Sequence, residues 1–253
     1  MTIITDPLFY LVAVPAVICL GLSKGGFASI GMVSTPLVAI VMGPLEAAAL
    51  LLPIIIVQDA MSVWVYRRTW DPWNLKVMLP GCIIGVGVAW LLAAYVSDGV
   101  IRLVVGLIAL GLVAYGFVRH LLPGEPSHPR ASHGVFWGAM SGFTTTLIQI
   151  GAPPYYAFVL PQRLPKMVYV GTTVMFFAVA NALKIVPYFA LGQFSATGLT
   201  TSLALFPLAI VSNFLGIYLV RITPEAIFYK LTNWLVLLLG CELTRQGVME
   251  LIR

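Results

Sequence analysis

Gly21-Leu-Ser-Lys-Gly-Gly-Phe27, followed by Ser34-Thr35-Pro36, returns just past the midpoint of the chain as Gly138-Ala-Met-Ser-Gly-Phe143, followed by Gly151-Ala152-Pro153-Pro154. Each copy opens an apolar half of similar length, and the likeness continues in order: Pro44 with Pro161, Asp59 with Asn181, Tyr66 with Tyr188, Pro80 with Pro207, Asp98 with Glu225. The offset between partners grows from 117 to 122 to 127, as small insertions would make it. Apolar halves that repeat one another are the sequence pattern of a transporter.

Composition gives the class independently. With 60% hydrophobic and 9% charged residues and a mean hydropathy of +0.99, the chain is suited to a bilayer and unsuited to solution as a free domain. The first seven residues carry no positive charge and no small-residue cleavage site follows, so the start is expected to be retained. Cys19, Cys82 and Cys241 all lie in apolar runs without metal-ligand spacing and read as small core residues. The net charge of +5 comes from basic residues at the ends of apolar runs, which gives no nucleic-acid footprint.

A helix needs roughly 20 apolar residues to cross the hydrocarbon, and six stretches qualify, at about 46–66, 74–95, 99–121, 166–190, 197–220 and 224–243. Two more regions, 8–42 and 134–160, are each too long for one span. Gly, Pro and polar residues break both into parts of roughly 15 residues or fewer, so each is expected to be a re-entrant hairpin or a pair of short crossings around unwound backbone. Residues 1–121 then form a first membrane repeat, 122–133 a cytoplasmic linker and 134–253 a second repeat. Three full transmembrane helices plus a broken segment, or five short crossings, is an odd count, so the fold expected is an all-α polytopic membrane protein with two inverted-topology repeats. Under that topology Arg67, Arg68, Lys76, Arg119, Arg130, Arg163, Lys166 and Arg221 share one side, which the positive-inside bias makes cytoplasmic. His120, His128 and His133 gather near the linker, but no acidic or cysteine partners stand at ligand spacing, so no metal is expected.

The segments Gly21-x-Ser-Lys-Gly-Gly…Gly31…Pro36 and Gly138-x-x-Ser-Gly…Gly151-x-Pro153, together with Asn181…Tyr188…Gly192 and Gly216…Arg221, resemble the TauE/SafE family of sulfite and organosulfonate exporters. The resemblance spans almost the whole chain. It implies a multi-pass protein of the bacterial inner membrane that moves sulfite, thiosulfate, sulfonates or related small anions, without a cofactor. Lys24 in the first glycine segment, and Thr144-Thr-Thr-Leu-Ile-Gln149 in place of a glycine-rich run in the second, depart from the commoner pattern and leave the substrate open.

The residues supply their own reason for an anion. A glycine break exposes N–H groups, and a helix restarting after it turns a positive dipole end towards the break. Ser23, Lys24, Gly25 and Gly26 would then bind substrate, with Lys24 adding formal charge; the alternative is that Lys24 snorkels to the interface. In the second half Thr144, Gln149 and Gly151 take the same part, with Ser141, Thr145 and Thr146 beside them, the alternative being helix-to-helix hydrogen bonds. Asn181 is a further substrate ligand, and its counterpart Asp59 carries a coupling proton or pairs with Lys24. Lys184, one turn after Asn181, is expected to snorkel because it lies near a span end, the alternative being that it lines an exit path. Neither a catalytic histidine or cysteine nor an HExxH or CxxC motif occurs at depth, so no enzyme is expected. A passive anion channel, or a carrier of small carboxylates, would use the same residues. The partners expected are a small anion and the lipid bilayer, and assembly with further copies of the chain is compatible with the sequence.

Overall fold

The computed structural model describes residues 3–27, 30–92, 95, 98–121, 130–190 and 192–252. Most of the linker, including His128, lies outside them. Among the described residues all regular structure is helical: α1 (Pro7–Gly25), a 3₁₀ turn (Ile30–Val33), α2 (Ser34–Val38), α3 (Pro44–Tyr66), α4 (Pro72–Leu92), α5 (Asp98–Leu121), α6 (Ala131–Ile148), α7 (Ala152–Val159), α8 (Lys166–Ala190), α9 (Ala196–Ile222) and α10 (Glu225–Ile252). Six of them, α1, α3, α4, α8, α9 and α10, are long and apolar enough to cross a membrane. Leu11, Ile84, Leu91, Phe189, Val211 and Leu238 are each more than half exposed. Such a surface is stable against lipid and not against water.

Helix α1 corrects one expectation. It runs 19 residues without a break, longer than the half-length piece read from the sequence, and Gly21 and Lys24 lie inside it. Its start is fixed by Asp6, whose carboxylate accepts from Leu8 N at 2.9 Å ahead of Pro7 at the first helical position. Its end waits for Gly26, which caps it with a φ of 141° that a side chain would strain against. Prolines 53, 80, 187 and 207 lie within continuing helices.

The chain falls into two compact units, residues 1–70 with 173–224 and residues 71–172 with 225–253. In the first, α1 packs along α9, with α3 against both. Gly21 meets Ser212 and Gly25 meets Gly216 so closely that an added Cβ would stand 2.0 Å from Ser212 Oγ and 2.5 Å from the Gly216 backbone. In the second, α4 packs along α6, and the Cβ positions of Gly85 and Gly142 fall 2.0 Å from Ala139 O and 2.4 Å from Cys82 O. Small residues four apart on facing helices let two backbones approach where lipid offers no hydrophobic drive to pack them. The repeated glycine motif, Gly21-x-x-x-Gly25 and Gly138-x-x-x-Gly142, is therefore a helix-crossing surface in both copies. Helix α5 pairs with α10 in the second unit. In the first, α3 and α8 run antiparallel, since Asp59 meets Asn181 while Ala48, Ala49 and Leu52 meet Tyr188.

Candidate functional site: a buried lysine, carboxylate and amide

The last turn of α1 leaves carbonyls without helical donors, and α3 supplies them. Ser62 Oγ donates to Lys24 O at 2.8 Å and Tyr66 OH to Gly25 O at 2.8 Å. Asn213 of α9 donates through Nδ2 to Ser62 Oγ at 2.9 Å, and Gln58 donates through Nε2 to Ala209 O at 3.1 Å. These bonds hold α1, α3 and α9 in one register. Tyr66→Phe removes the donor from a buried carbonyl, so a loss of about 1–3 kcal/mol in unfolding free energy is expected. Denaturant titration of the purified variant measures it.

With its backbone so held, Lys24 turns its side chain inward. Nζ stands 2.8 Å from Asp59 Oδ1, the two side chains being 14% and 5% exposed. That geometry excludes the snorkelling alternative for Lys24. Asn181 Nδ2 donates to Asp59 Oδ2 at 2.7 Å. An ionised carboxylate only accepts, so the amide must present its NH₂ to it. Asp59 thus pairs with Lys24, one of the two roles expected for it, and its sequence counterpart Asn181 joins them in one cluster.

The field at Lys24 differs from the one expected. Lys24 sits in the last turn of α1, the carbonyl end, where the helix dipole favours the lysine cation itself. Beyond the break the chain forms a four-residue 3₁₀ turn and a five-residue helix, too short to present a substantial positive end. Gly26 N–H is taken by Leu22 O and Ser23 O, and Phe27 N by Leu22 O at 3.2 Å. Ser23 is buried, and Gly25 is occupied by the α9 crossing. Attraction for an anion must therefore come from the ammonium group.

The second break belongs to the second unit. There Gln149 adopts a left-handed φ of 60° after α6, and Ser141 Oγ donates across the break to Gly151 O at 2.7 Å. Thr144 and Thr146 donate back to Met140 O and Gly142 O of their own helix, at 2.9 and 2.7 Å. Gly151 is buried where a Cβ would lie 2.8 Å from Thr145 Cβ. Helix α7 opens on Pro153 and Pro154, which have no N–H, so the expected amide cradle is poor in donors here too.

Sequence reasoning assigns no role to Ser62, Tyr66 or Asn213, although Asn213 is an amide inside an apolar run and Ser62 lies one turn from Asp59. Lys184 corrects another expectation: it is 1% exposed and does not snorkel. A pocket at the start of α3 and α9 is lined by Glu46, Gln193 and Ser195 among apolar residues, and its acidic group is unsuited to an anion.

Six helices long and apolar enough to cross a bilayer define an integral, multi-pass membrane protein, with the Lys24–Asp59 ion pair lying within its first unit. The chain belongs to the TauE/SafE family: the model described as "Sulfite exporter TauE/SafE" matches residues 13–243. Its members are transporters of small sulfur-containing anions. No curated protein and no solved structure matches the chain significantly.

Proposed function

We propose that the protein carries a small sulfur-containing oxyanion, such as sulfite, thiosulfate or an organosulfonate, across the bacterial inner membrane by alternating access between two inverted repeats. The observation that carries this reading is the buried Lys24–Asp59–Asn181 cluster. A charge at membrane depth is tolerated where it pairs or lines a pathway, and Lys24 has a partner that an incoming anion can replace. Two further observations support the repeats. Asp59 and Asn181, equivalent by sequence, touch each other, as residues near a two-fold axis would. The first helix of each half also packs on the third long helix of the other, α1 on α9 and α6 on α4.

In this scheme Lys24 and Asn181 bind the anion in the first unit, Ser23, Gly25 and Gly26 form the turn that holds Lys24 in place, and Thr144, Gln149 and Gly151 are the corresponding residues of the second. An anion that takes Lys24 leaves Asp59 as a buried carboxylate, which is costly unless Asp59 takes up a proton. The groups that meet Asp59 are Lys24 from α1 and Asn181 from α8; Ser62, one turn on along α3, bonds to Lys24 O and Asn213, and the Arg221 charge of α9 acts on Tyr66 further along. Each transported anion thus moves with one proton. In proteoliposomes, labelled sulfite should show saturable uptake, counterflow and a matching pH change in the lumen. Unsaturated conductance without counterflow would identify a channel instead.

A further inference from the structure

Among the described residues, two that are not glycine have a positive φ, Gln149 at 60° and Arg163 at 52°. A long side chain rarely takes this left-handed conformation, which persists where the surrounding structure holds it. The two residues bracket one segment, 150–162, made of α7 and the 3₁₀ turn Leu160–Gln162 that continues it. What flanks the segment is fixed. Before Gln149, α6 lies along α4 through Gly138 and Gly142. After Arg163, Leu164 O accepts from Tyr229 OH and Lys166 N donates to Glu225 Oε1 at 3.3 Å, both partners lying on α10. A movement of 150–162 as one body is therefore absorbed at its two ends, where the backbone is already strained.

The far end of the segment is tied to α4 by a pair of amides. Asn74 Nδ2 donates to Gln162 Oε1 at 2.9 Å, and Gln162 Nε2 returns a bond to Asn74 Oδ1 at 2.8 Å. Gln162 Nε2 also donates to Phe158 O at 2.9 Å, and the Phe158 ring stacks on Trp73 with centroids 6.0 Å apart. Asn74 is buried, and its own N–H donates to Asp71 Oδ1 at 2.7 Å. Gln162 adjoins the left-handed Arg163, so the amide pair holds that turn in place. The first half lacks these parts: at offsets of 117 and 127, Gln162 and Asn74 match Leu45 and Thr201, which cannot form such a pair, and Arg163 matches Glu46, inside α3.

Resting on the proposed transport, we infer that residues 150–162 are a gate, hinged at Gln149 and Arg163 and latched shut by the Asn74–Gln162 pair. Undoing the latch removes what holds the turn at Arg163. Relaxation at Gln149 then moves Gly151, and these are two of the residues that the scheme gives to the anion in the second unit. Neutral hydrogen bonds that exchange for bonds to water cost little to break and re-form in each transport cycle, whereas separating a buried ion pair is expensive. The asymmetry between the halves then has a mechanical meaning. The first carries the charged pair, and the second carries the moving part.

The test uses the full chain with Cys19, Cys82 and Cys241 replaced by alanine and with Asn74→Cys and Gln162→Cys, in proteoliposomes. Bridging the two new cysteines with bismaleimidoethane, excess reagent being removed before labelled sulfite is added, should stop uptake. Each single-cysteine variant treated in the same way should keep it. A bridged protein that transports at the unbridged rate, or that loses no more than the singly modified ones, overturns the gate. Hydrogen exchange needs neither cysteines nor substrate and tests the latch separately. Gln162→Leu should speed exchange of the amides between 155 and 164 by about tenfold, as the loss of two neutral hydrogen bonds implies, and leave α4 and α6 unchanged. The exchanged pair, Asn74→Gln with Gln162→Asn, should return the rates towards wild type. Unchanged rates in Gln162→Leu, or a rise spread equally over α4 and α6, overturn the latch. Exchange confined to the segment, in a wild-type protein that takes up no sulfite, would instead remove the anion-transport reading and leave the hinged segment standing.

Discussion

Replacing Lys24 with methionine is expected to reduce anion uptake to the background of empty liposomes and to lower the stability of the folded protein by about 3–5 kcal/mol. The two effects have different origins, and a second substitution separates them. Methionine keeps the length and apolar bulk of the lysine stem but leaves Asp59 buried with Asn181 as its remaining partner. A buried carboxylate without its counter-ion accounts for the loss of stability. Lys24→Met combined with Asp59→Asn removes both charges, so the double variant should regain most of the stability, read as its midpoint in denaturant. Transport should stay absent, because no ammonium group remains at that position to receive the anion. If the double variant transports, the ion pair is a structural element and the anion is held elsewhere. Asp59→Asn alone should keep anion exchange while uncoupling it from the lumenal pH change, since an amide cannot carry the proton.

How far this cluster is legible in the chain differs residue by residue. Asp59 and Asn181 stand out because a carboxylate and an amide at matched positions in apolar spans are costly in lipid unless each meets a partner or a ligand. Lys24 stands out for the same reason. Their meeting is only one of the alternatives the sequence allows, because α3 is apolar on all sides and carries no amphipathic stripe to say which face turns inward. The sequence places the end of α1 too early because glycine reads as a breaker. Inside a membrane bundle it is as often a contact, and Gly21 continues the helix against Ser212. The consequence reaches Lys24: a break at Gly21 would put it in unwound backbone facing a helix start, whereas a break at Gly26 puts it at a helix end with the opposite dipole. Lys184 is misleading in the sequence because nearness to a span end suggests an exit to water, and only packing shows that none is taken. The caps from Ser62 and Tyr66 are not legible at all, since they depend on which turn of α3 faces the end of α1.

The glycines of the repeated motif provide the second large effect, and it separates two accounts of what they are for. If Gly25 and Gly142 are crossing points, Gly25→Ala and Gly142→Ala must push helices apart, because each new Cβ would meet a backbone at 2.5 and 2.4 Å that cannot rotate away. A loss of about 1–3 kcal/mol is expected for each, and more for leucine, visible as a lower thermal midpoint in detergent. Gly87 is the control within α4: it has no atom within 4 Å of its Cβ position, so Gly87→Ala should be neutral or stabilising by up to about 1 kcal/mol. If instead the motif glycines serve to expose amides to substrate, Gly25→Ala should keep its stability and lose affinity. The crossing account expects the reverse order. Stability falls first, and transport falls with it at Gly25 because the same turn carries the Lys24 carbonyl that Ser62 holds. At Gly142 the paired effect on anion affinity should be smaller, since its contact is with Cys82 on α4 and it neighbours no charged residue. An unchanged melting profile for Gly25→Ala with weakened anion binding would return the glycine motif to the substrate.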